Sequence, residues 1–184
     1  MNRLPKLPVI TAKDRLRRLA WAVARLLLYR PTPIAMHGWR AAVLSAFGAC
    51  INGRVYPYPD VAIWAPWNLE MAPESCLGAK AECYNVAPVR LGHGVTVSQR
   101  SHLCTASHDF DDSGFPLTGA PIVLEDGAWI AAEAFVGPGV TVGTRAVILA
   151  RCVVVRDVPP GAVMGGNPAR HLRDRAFPEG TQPS

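Results

Sequence analysis

The sequence predicts an all-β solenoid, a parallel β-helix with a helical segment at its N-terminus and a short tail at its C-terminus. Two observations predict it. From Leu124 to Pro159 the chain divides into hexads, LEDGAW IAAEAF VGPGVT VGTRAV ILARCV VVRDVP, whose first slots are Leu124, Ile130, Val136, Val142, Ile148 and Val154. The fifth slots hold only small or β-branched residues: Ala128, Ala134, Val140, Ala146, Cys152 and Val158. A helix repeats at about 3.6 residues and a simple strand at about 2, so a sustained period of six fits neither. Short strands winding a solenoid, with the recurring aliphatics stacked inside, satisfy it.

Taken in order, the chain divides into three parts: 1–50, 51–169 and 170–184. The first part is basic. Residues 1–40 carry nine Lys or Arg against the single acid Asp14, whereas residues 41–184 carry ten against thirteen. The net charge of +5 therefore belongs to an N-terminal arm and not to a basic face across the body. With no basic-aromatic platform and no DNA-binding motif, nucleic acid is excluded as a partner. Met1 to Ala12 reads as a loose lead-in. Lys13 to Tyr29 reads as a helix with Leu16, Leu19, Ala20, Val23, Leu26 and Leu27 on its apolar side and Arg15, Arg17, Arg18 and Arg25 on its polar side, ended by Pro31 and Pro33. A second helix is predicted over 37–47. Two roles suit this arm: a cap on the open end of the solenoid, or a peripheral contact of residues 13–30 with an anionic membrane. No run is long and apolar enough to span a bilayer, and no signal peptide is evident, so a cytoplasmic location is expected, with the inner membrane face as its peripheral variant. Cys50, Cys76, Cys83, Cys104 and Cys152 show no paired spacing, which argues for free thiols in a reducing compartment.

Residues 53–67 are irregular and suggest an incomplete first coil. Regular hexads begin at Met71 (MAPESC, LGAKAE, CYNVAP), shift by two residues, and resume at Leu91 (LGHGVT, VSQRSH, LCTASH). All twelve first slots from Met71 to Val154 are apolar. Three hexads per turn then give four to five coils, with Leu124 over Val142, Ile130 over Ile148 and Val136 over Val154. Second-slot glycines (Gly78, Gly92, Gly137, Gly143) are assigned to corners needing φ > 0. The repeat fails once in a major way, at the loop 109–121, which starts directly after Ser107-His108. Insertions of this kind tend to carry function.

The stretches Pro66-Trp67-Asn68-Leu69, Val97-Ser98-Gln99, Leu103 to Asp109, Ala128-Trp129-Ile130, Val136 to Val140 and Gly166-Asn167-Pro168-Ala169-Arg170 resemble the hexapeptide-repeat acetyltransferases. Among these the chain is most similar to the acetyltransferases of colanic-acid and exopolysaccharide biosynthesis. The resemblance implies a left-handed coil, a homotrimer with active sites between subunits, and transfer of an acetyl group from acetyl-CoA to an acceptor hydroxyl of a sugar or glycan. It implies His108 as catalytic base. The residue chemistry agrees, because a sugar hydroxyl needs a base to attack a thioester and imidazole titrates near neutrality. Asp109 is a candidate to orient His108, to contact the acceptor or to shape the loop. Asn85 is a candidate acceptor contact or a turn asparagine. Trp129 is expected outward, against CoA, the acceptor pocket or a neighbouring subunit. Ala131 and Ala150 are candidate CoA contacts or ordinary coil residues, although Ala131 and Leu149 stand where the family commonly has glycine. Arg156 and Arg170 are candidate phosphate partners or solvated charges, and Asn167-Pro168 a candidate adenine contact or a closing turn. His37 and His171 read as packing or solvent residues.

A backbone N–H is expected to stabilise the oxyanion, and no cysteine stands out as a nucleophile. Two rival readings remain at this level. One is a non-catalytic β-helix scaffold for polysaccharide assembly, motivated by Ala131 and Leu149. The other is a metal-dependent carbonic-anhydrase-like protein, which would need His93, His102 and His108 to converge. The transferase reading requires no metal.

Overall fold

The structure, a computed structural model, describes residues 4–8 and 11–176. Its body is the expected parallel β-solenoid. The first coil comprises β1 (Cys50–Ile51), β2 (Tyr56–Pro57) and β3 (Ala62–Ile63), and the second β4 (Leu69–Met71), β5 (Cys76–Leu77) and β6 (Glu82–Tyr84). The third comprises β7 (Val89–Leu91), β8 (Thr96–Val97) and β9 (His102–Cys104), followed by an excursion hairpin, β10 (Ala106–His108) and β11 (Leu117–Gly119). The fourth comprises β12 (Ile122–Leu124), β13 (Trp129–Ile130) and β14 (Phe135–Val136), and the fifth β15 (Thr141–Val142), β16 (Val147–Ile148) and β17 (Val153–Val154). A sixth, partial coil contains a bridge from Val158 to Val142 and β18 (Ala162–Gly165), against which β19 (Arg170–Asp174) folds back antiparallel.

These strands build three faces: face I, β1-β4-β7-β12-β15; face II, β2-β5-β8-β13-β16-β18-β19; and face III, β3-β6-β9-β14-β17. The pairings Leu124↔Val142, Ile130↔Ile148 and Val136↔Val154 are those the period requires. The solenoid has about six turns, more than the four to five expected. The difference lies at its ends. The first coil is complete despite its prolines, and Arg170–Asp174 of the tail pairs with β18.

All twelve first-slot side chains are buried, and so is every fifth-slot residue except Ser107. The core is thus a column of aliphatics walled by small side chains, and the buried Ser75 and Ser101 hydroxyls are satisfied by Ala72 O at 2.6 Å and Ala131 O at 2.8 Å. The corner assignment needs correction. None of the four second-slot glycines has positive φ; that conformation falls on the fourth slot, at Glu74, Lys80, Arg100, Glu133, Arg145 and Arg151, with φ from 56° to 61°. At Gly78, Gly92 and Gly143 the need for glycine is proximity to the next coil instead. A Cβ on Gly143 would stand 2.5 Å from Pro160 N in the next coil. Leu149 occupies a second slot with its side chain exposed, beneath the coil that carries Gly165.

The N-terminal arm caps the first coil, with its predicted faces reversed. Helix α1 (Ala12–Ala24) opens on a capping box between Thr11 and Asp14 and continues through a π-helical turn, Arg25–Tyr29; α2 spans His37–Ala46. Leu16, Leu19, Val23, Leu26 and Leu27, which the cap reading alone would turn to the core, point to solvent, while Trp21, Ala24 and Tyr29 are buried. The first coil explains the reversal, because its open end presents carbonyls with no further coil to donate to them. Polar side chains supply those donors. Trp21 Nε1 donates to Ile63 O at 2.8 Å, Arg25 Nη2 to Val61 O at 3.2 Å, Tyr29 OH to Tyr58 O at 3.1 Å, and Arg40 Nε to Pro57 O at 2.7 Å. Arg17 and Arg18 stack on Trp67 and Trp64. The lead-in is not loose where it is described: Leu7 N donates to Leu117 O and Gly119 N to Pro5 O, so residues 4–8 pair along β11. The lead-in's residues 1–3 and 9–10, and the tail beyond 176, lie outside the described residues.

Candidate active site

Three insertions leave the solenoid at the same edge, between faces III and I, in successive coils: residues 64–68, 85–88 and 105–121. The first two are tied together by asparagines. Asn85 is fully buried, its Oδ1 accepting from Ala65 N at 2.9 Å and its Nδ2 donating to Ala65 O at 2.6 Å. Asn68 Nδ2 donates to Asn85 O and Val86 O. Both ends of the Asn85 amide thus serve the backbone, which makes it a pin between coils within this protomer and not an open acceptor contact.

The third insertion is rooted at Thr105, also fully buried, whose hydroxyl donates to Tyr84 O at 3.0 Å and accepts from Ala87 N at 2.9 Å. The hairpin then crosses so close to this root that a Cβ at Gly119 would collide with Thr105 O. Its register pairs Ser107 with Thr118 and His108 with Leu117. The LCTASH hexad therefore fails four residues earlier than the sequence suggests, at 105 and not at 109: Ser107 and His108 are exposed on a hairpin strand and not on a prism face.

His108 is held by Phe115. Its Nδ1 lies 2.9 Å from Phe115 O, and the two rings stack at 4.3 Å with planes 7° apart. A carbonyl only accepts, so Nδ1 carries the proton and Nε2 of the neutral ring keeps its lone pair. Asp109 does not orient this ring through that nitrogen. Its Oδ1 accepts from Asp111 N and its N–H donates to Pro116 O, which shapes the loop. Asp112 caps Gly114 N, forms the turn that places Phe115, and pairs with Lys6 at 3.0 Å. Phe115, at φ 44°, is among the described residues the one outside the hexads with positive φ and a side chain. Nothing in the pattern GFP singled it out, because its contribution is a backbone carbonyl.

Beside the hairpin root lies a groove of about 740 Å³, lined by Ala106, Ser107, Phe135, Pro138, Val155 and Arg156 among others. Among the described residues that line it, Arg156 is the only cation. The remaining CoA candidates lie elsewhere. Trp129 projects from face II, 44% exposed, with Nε1 donating to Ser98 Oγ at 2.9 Å. Ala131 sits at the edge between faces II and III and is nearly buried; its N–H is taken by Ile148 O and its carbonyl by Ser101. Ala150 is exposed one coil further along that edge. Asn167-Pro168, joined by a cis peptide bond, forms the turn between β18 and β19, and Arg170 is exposed at the start of β19. Face III thus separates these residues from His108 and Arg156, and one protomer does not bring the two sets together.

Cys104, next to the hairpin, is half-buried; burial raises its thiol above the ordinary range, and the thiol donates to Ala106 O. Such a thiol is a poor nucleophile. His93 lies at a corner between faces I and II, His102 on face III against Phe135, and His108 on the hairpin. Among the described residues no three His, Cys, Asp or Glu side chains are placed to hold a metal ion.

A parallel solenoid of hexads, interrupted by a hairpin that presents a histidine whose Nδ1 is bonded to a backbone carbonyl, with a groove at the hairpin root, defines a hexapeptide acyltransferase scaffold. Over 162 residues the chain is 36% identical to the protein named for colanic acid biosynthesis, the acetyltransferase WcaF of Escherichia coli strain K12, covering 88% of each chain. The chain belongs to the hexapeptide-repeat acetyltransferases. A hexapeptide-repeat acetyltransferase of Vibrio cholerae O1 biovar eltor, solved with acetyl-CoA, superposes with a TM-score of 0.81 at 25% identity over 91% of both chains. A maltose O-acetyltransferase of Clostridium difficile 630 shares the fold, with a TM-score of 0.77 at 22% identity over 90% of this chain and 91% of the other. No protein-family model matches the chain.

Proposed function

We propose that this acetyltransferase moves the acetyl group of acetyl-CoA to a hydroxyl of a sugar or polysaccharide precursor, with His108 as general base. The observation that carries the proposal is the Phe115 carbonyl on His108 Nδ1, which leaves Nε2 as the lone-pair nitrogen, on the hairpin strand whose Ala106 and Ser107 line the groove. In the proposed step Nε2 takes the hydroxyl proton as the oxygen bonds to the thioester carbonyl carbon. The carbon–sulfur bond then breaks, and the imidazolium returns the proton to the CoA thiolate. Products are the acetyl ester and free CoA. Direct transfer suits a site whose nearest thiol is held protonated.

Because face III separates the two sets of candidate residues, the reading favours sites shared between protomers of a homotrimer. One protomer would contribute the His108 hairpin and Arg156, and its neighbour the edge with Trp129, Ala131, Ala150, Asn167, Pro168 and Arg170. Arg156 and Arg170 would neutralise CoA phosphates through charge-assisted bonds, and Asp109 would shape the acceptor side. The cytoplasm, where acetyl-CoA is the available donor, suits this chemistry. The name of the E. coli relative supports a polysaccharide precursor as acceptor.

The test is acceptor profiling. The protein is incubated with acetyl-CoA and either nucleotide sugars or lipid-linked glycans, and products are read by mass and by alkaline lability of the new bond. An alkali-labile O-acetyl product is expected. An alkali-stable N-acetyl product would refute the ester chemistry, and absence of acetyl-CoA binding in calorimetry would favour the non-catalytic scaffold.

A further inference from the structure

The outward stripe of α1 is not used by the reaction. Leu16, Leu19, Val23, Leu26 and Leu27 are between 50% and 69% exposed and recur at helical spacing along one side of 12–29. The stripe extends past the helix. Leu28, Ile34, Met36 and Trp39 are exposed as well, and Trp39 Nε1 donates to Leu28 O at 2.8 Å, which fixes the indole beside the helix end. A contiguous patch of this size on a soluble domain marks a contact surface.

Its charge setting identifies the contact. Exposed Lys13 and Arg15 stand at one end of the stripe and exposed Arg30 at the other. The only acid in the first 40 residues, Asp14, is spent in the Thr11 capping box, where its carboxyl is held below the usual range chiefly by the Thr11 side chain. The inward face has no room to rotate outward, since Trp21, Arg25 and Tyr29 are bonded to the first coil. No helix among the described residues is long and apolar enough to cross a membrane. We infer that this face docks in the plane of an anionic lipid bilayer, with its leucines in the acyl boundary and Lys13, Arg15 and Arg30 at the headgroups. Trp39, amphipathic and anchored at the helix end, suits the same interfacial depth. An isologous pairing with a second copy would instead set two like-charged arms against each other, each +8 over residues 1–40.

The experiment is flotation of the full chain with vesicles of phosphatidylglycerol and phosphatidylcholine, against vesicles of phosphatidylcholine alone. Wild-type protein is expected to float with the anionic vesicles and to be partly released by salt. Leu19→Glu/Val23→Glu is expected to reduce partitioning about tenfold or more, since it removes aliphatic area and adds charges that anionic lipid repels. Its acetyl-CoA binding and Tm should match wild type, because neither side chain touches the core. The inference is overturned if wild type floats no better with anionic than with neutral vesicles, or if the double variant floats as wild type does. It is also overturned if the double variant lowers the sedimenting mass in lipid-free buffer, which would make the face an interface between copies. The wild-type comparison alone is decisive should the variant fail to fold. Neither readout depends on catalysis, so failure here leaves the acetyl-transfer proposal standing.

Discussion

Asn85→Ala separates a structural from a substrate-binding role at the insertion edge. Asn85 is fully buried, and its amide satisfies both the N–H and the C=O of Ala65, itself only 2% exposed. Alanine leaves the Ala65 N–H without its partner in a dry site, while Ala65 O keeps the Asn68 N–H at 2.9 Å. A buried group so orphaned costs about 1–3 kcal/mol. For a chain of this length that lowers Tm by about 2–12 °C in thermal unfolding followed by circular dichroism. Asn85→Asp should be no better, since a carboxylate oxygen would then face Ala65 O. Acceptor KM, measured below the transition, should move little. The reasoning is refuted if Asn85→Ala melts with wild type while acceptor KM rises steeply, since the side chain would then be serving a ligand.

Three further outcomes follow from particular contacts. Glu133 bridges Arg151 at 2.7 Å and Arg100 at 3.6 Å, and the hydrogen bond from Arg151, ahead of its charge, holds the carboxyl below the usual range. Glu133→Gln should therefore lower Tm slightly at neutral pH. Its deficit should disappear as pH falls through the lowered value of Glu133, because this stabilisation is complete above the ordinary carboxylate range and lost on protonation; added salt should shrink it. Burial pushes the Cys83 thiol up to about 12, and Cys152 is likewise buried, whereas Cys50 is exposed. Mass spectrometry after brief alkylation of native protein near pH 8 should find Cys50 modified and Cys83 and Cys152 unmodified until denaturant is added. Trp129→Ala should weaken acetyl-CoA binding by up to about tenfold in calorimetry, the scale of a lost aromatic contact, with little change in Tm.

The solenoid was legible because burial repeats with the sequence. A period of six in large aliphatics maps directly onto strand stacking, and every first slot obeys it. The excursion at His108 was legible for the same reason, as a failure of that period. What the pattern hid depends on the backbone. The fourth-slot φ, the carbonyl of Phe115 and the orphaned carbonyls at Val61 and Ile63 carry no signature in residue type. The last of these reversed α1: hydrophobic periodicity assigns leucines inward, but an open coil end rewards donors, and Trp21, Arg25 and Arg40 supply them. Arg40 shows how far this goes, being fully buried with its guanidinium also bonded to Thr32, Pro33 and Ile34. The separation of Trp129 from His108 was equally invisible, since slot numbers give a face but not which protomer completes the site.

The most direct measurement is single-turnover and steady-state CoA release by His108→Ala beside wild type, at saturating acetyl-CoA and with the acceptor identified by profiling. Acetyl-CoA binding by calorimetry and Tm serve as controls. Loss of the base predicts a fall in kcat of about 10²–10⁴-fold with donor affinity preserved. Turnover near the wild-type rate, with the protein folded and acetyl-CoA bound, would contradict the assignment of His108 as the base.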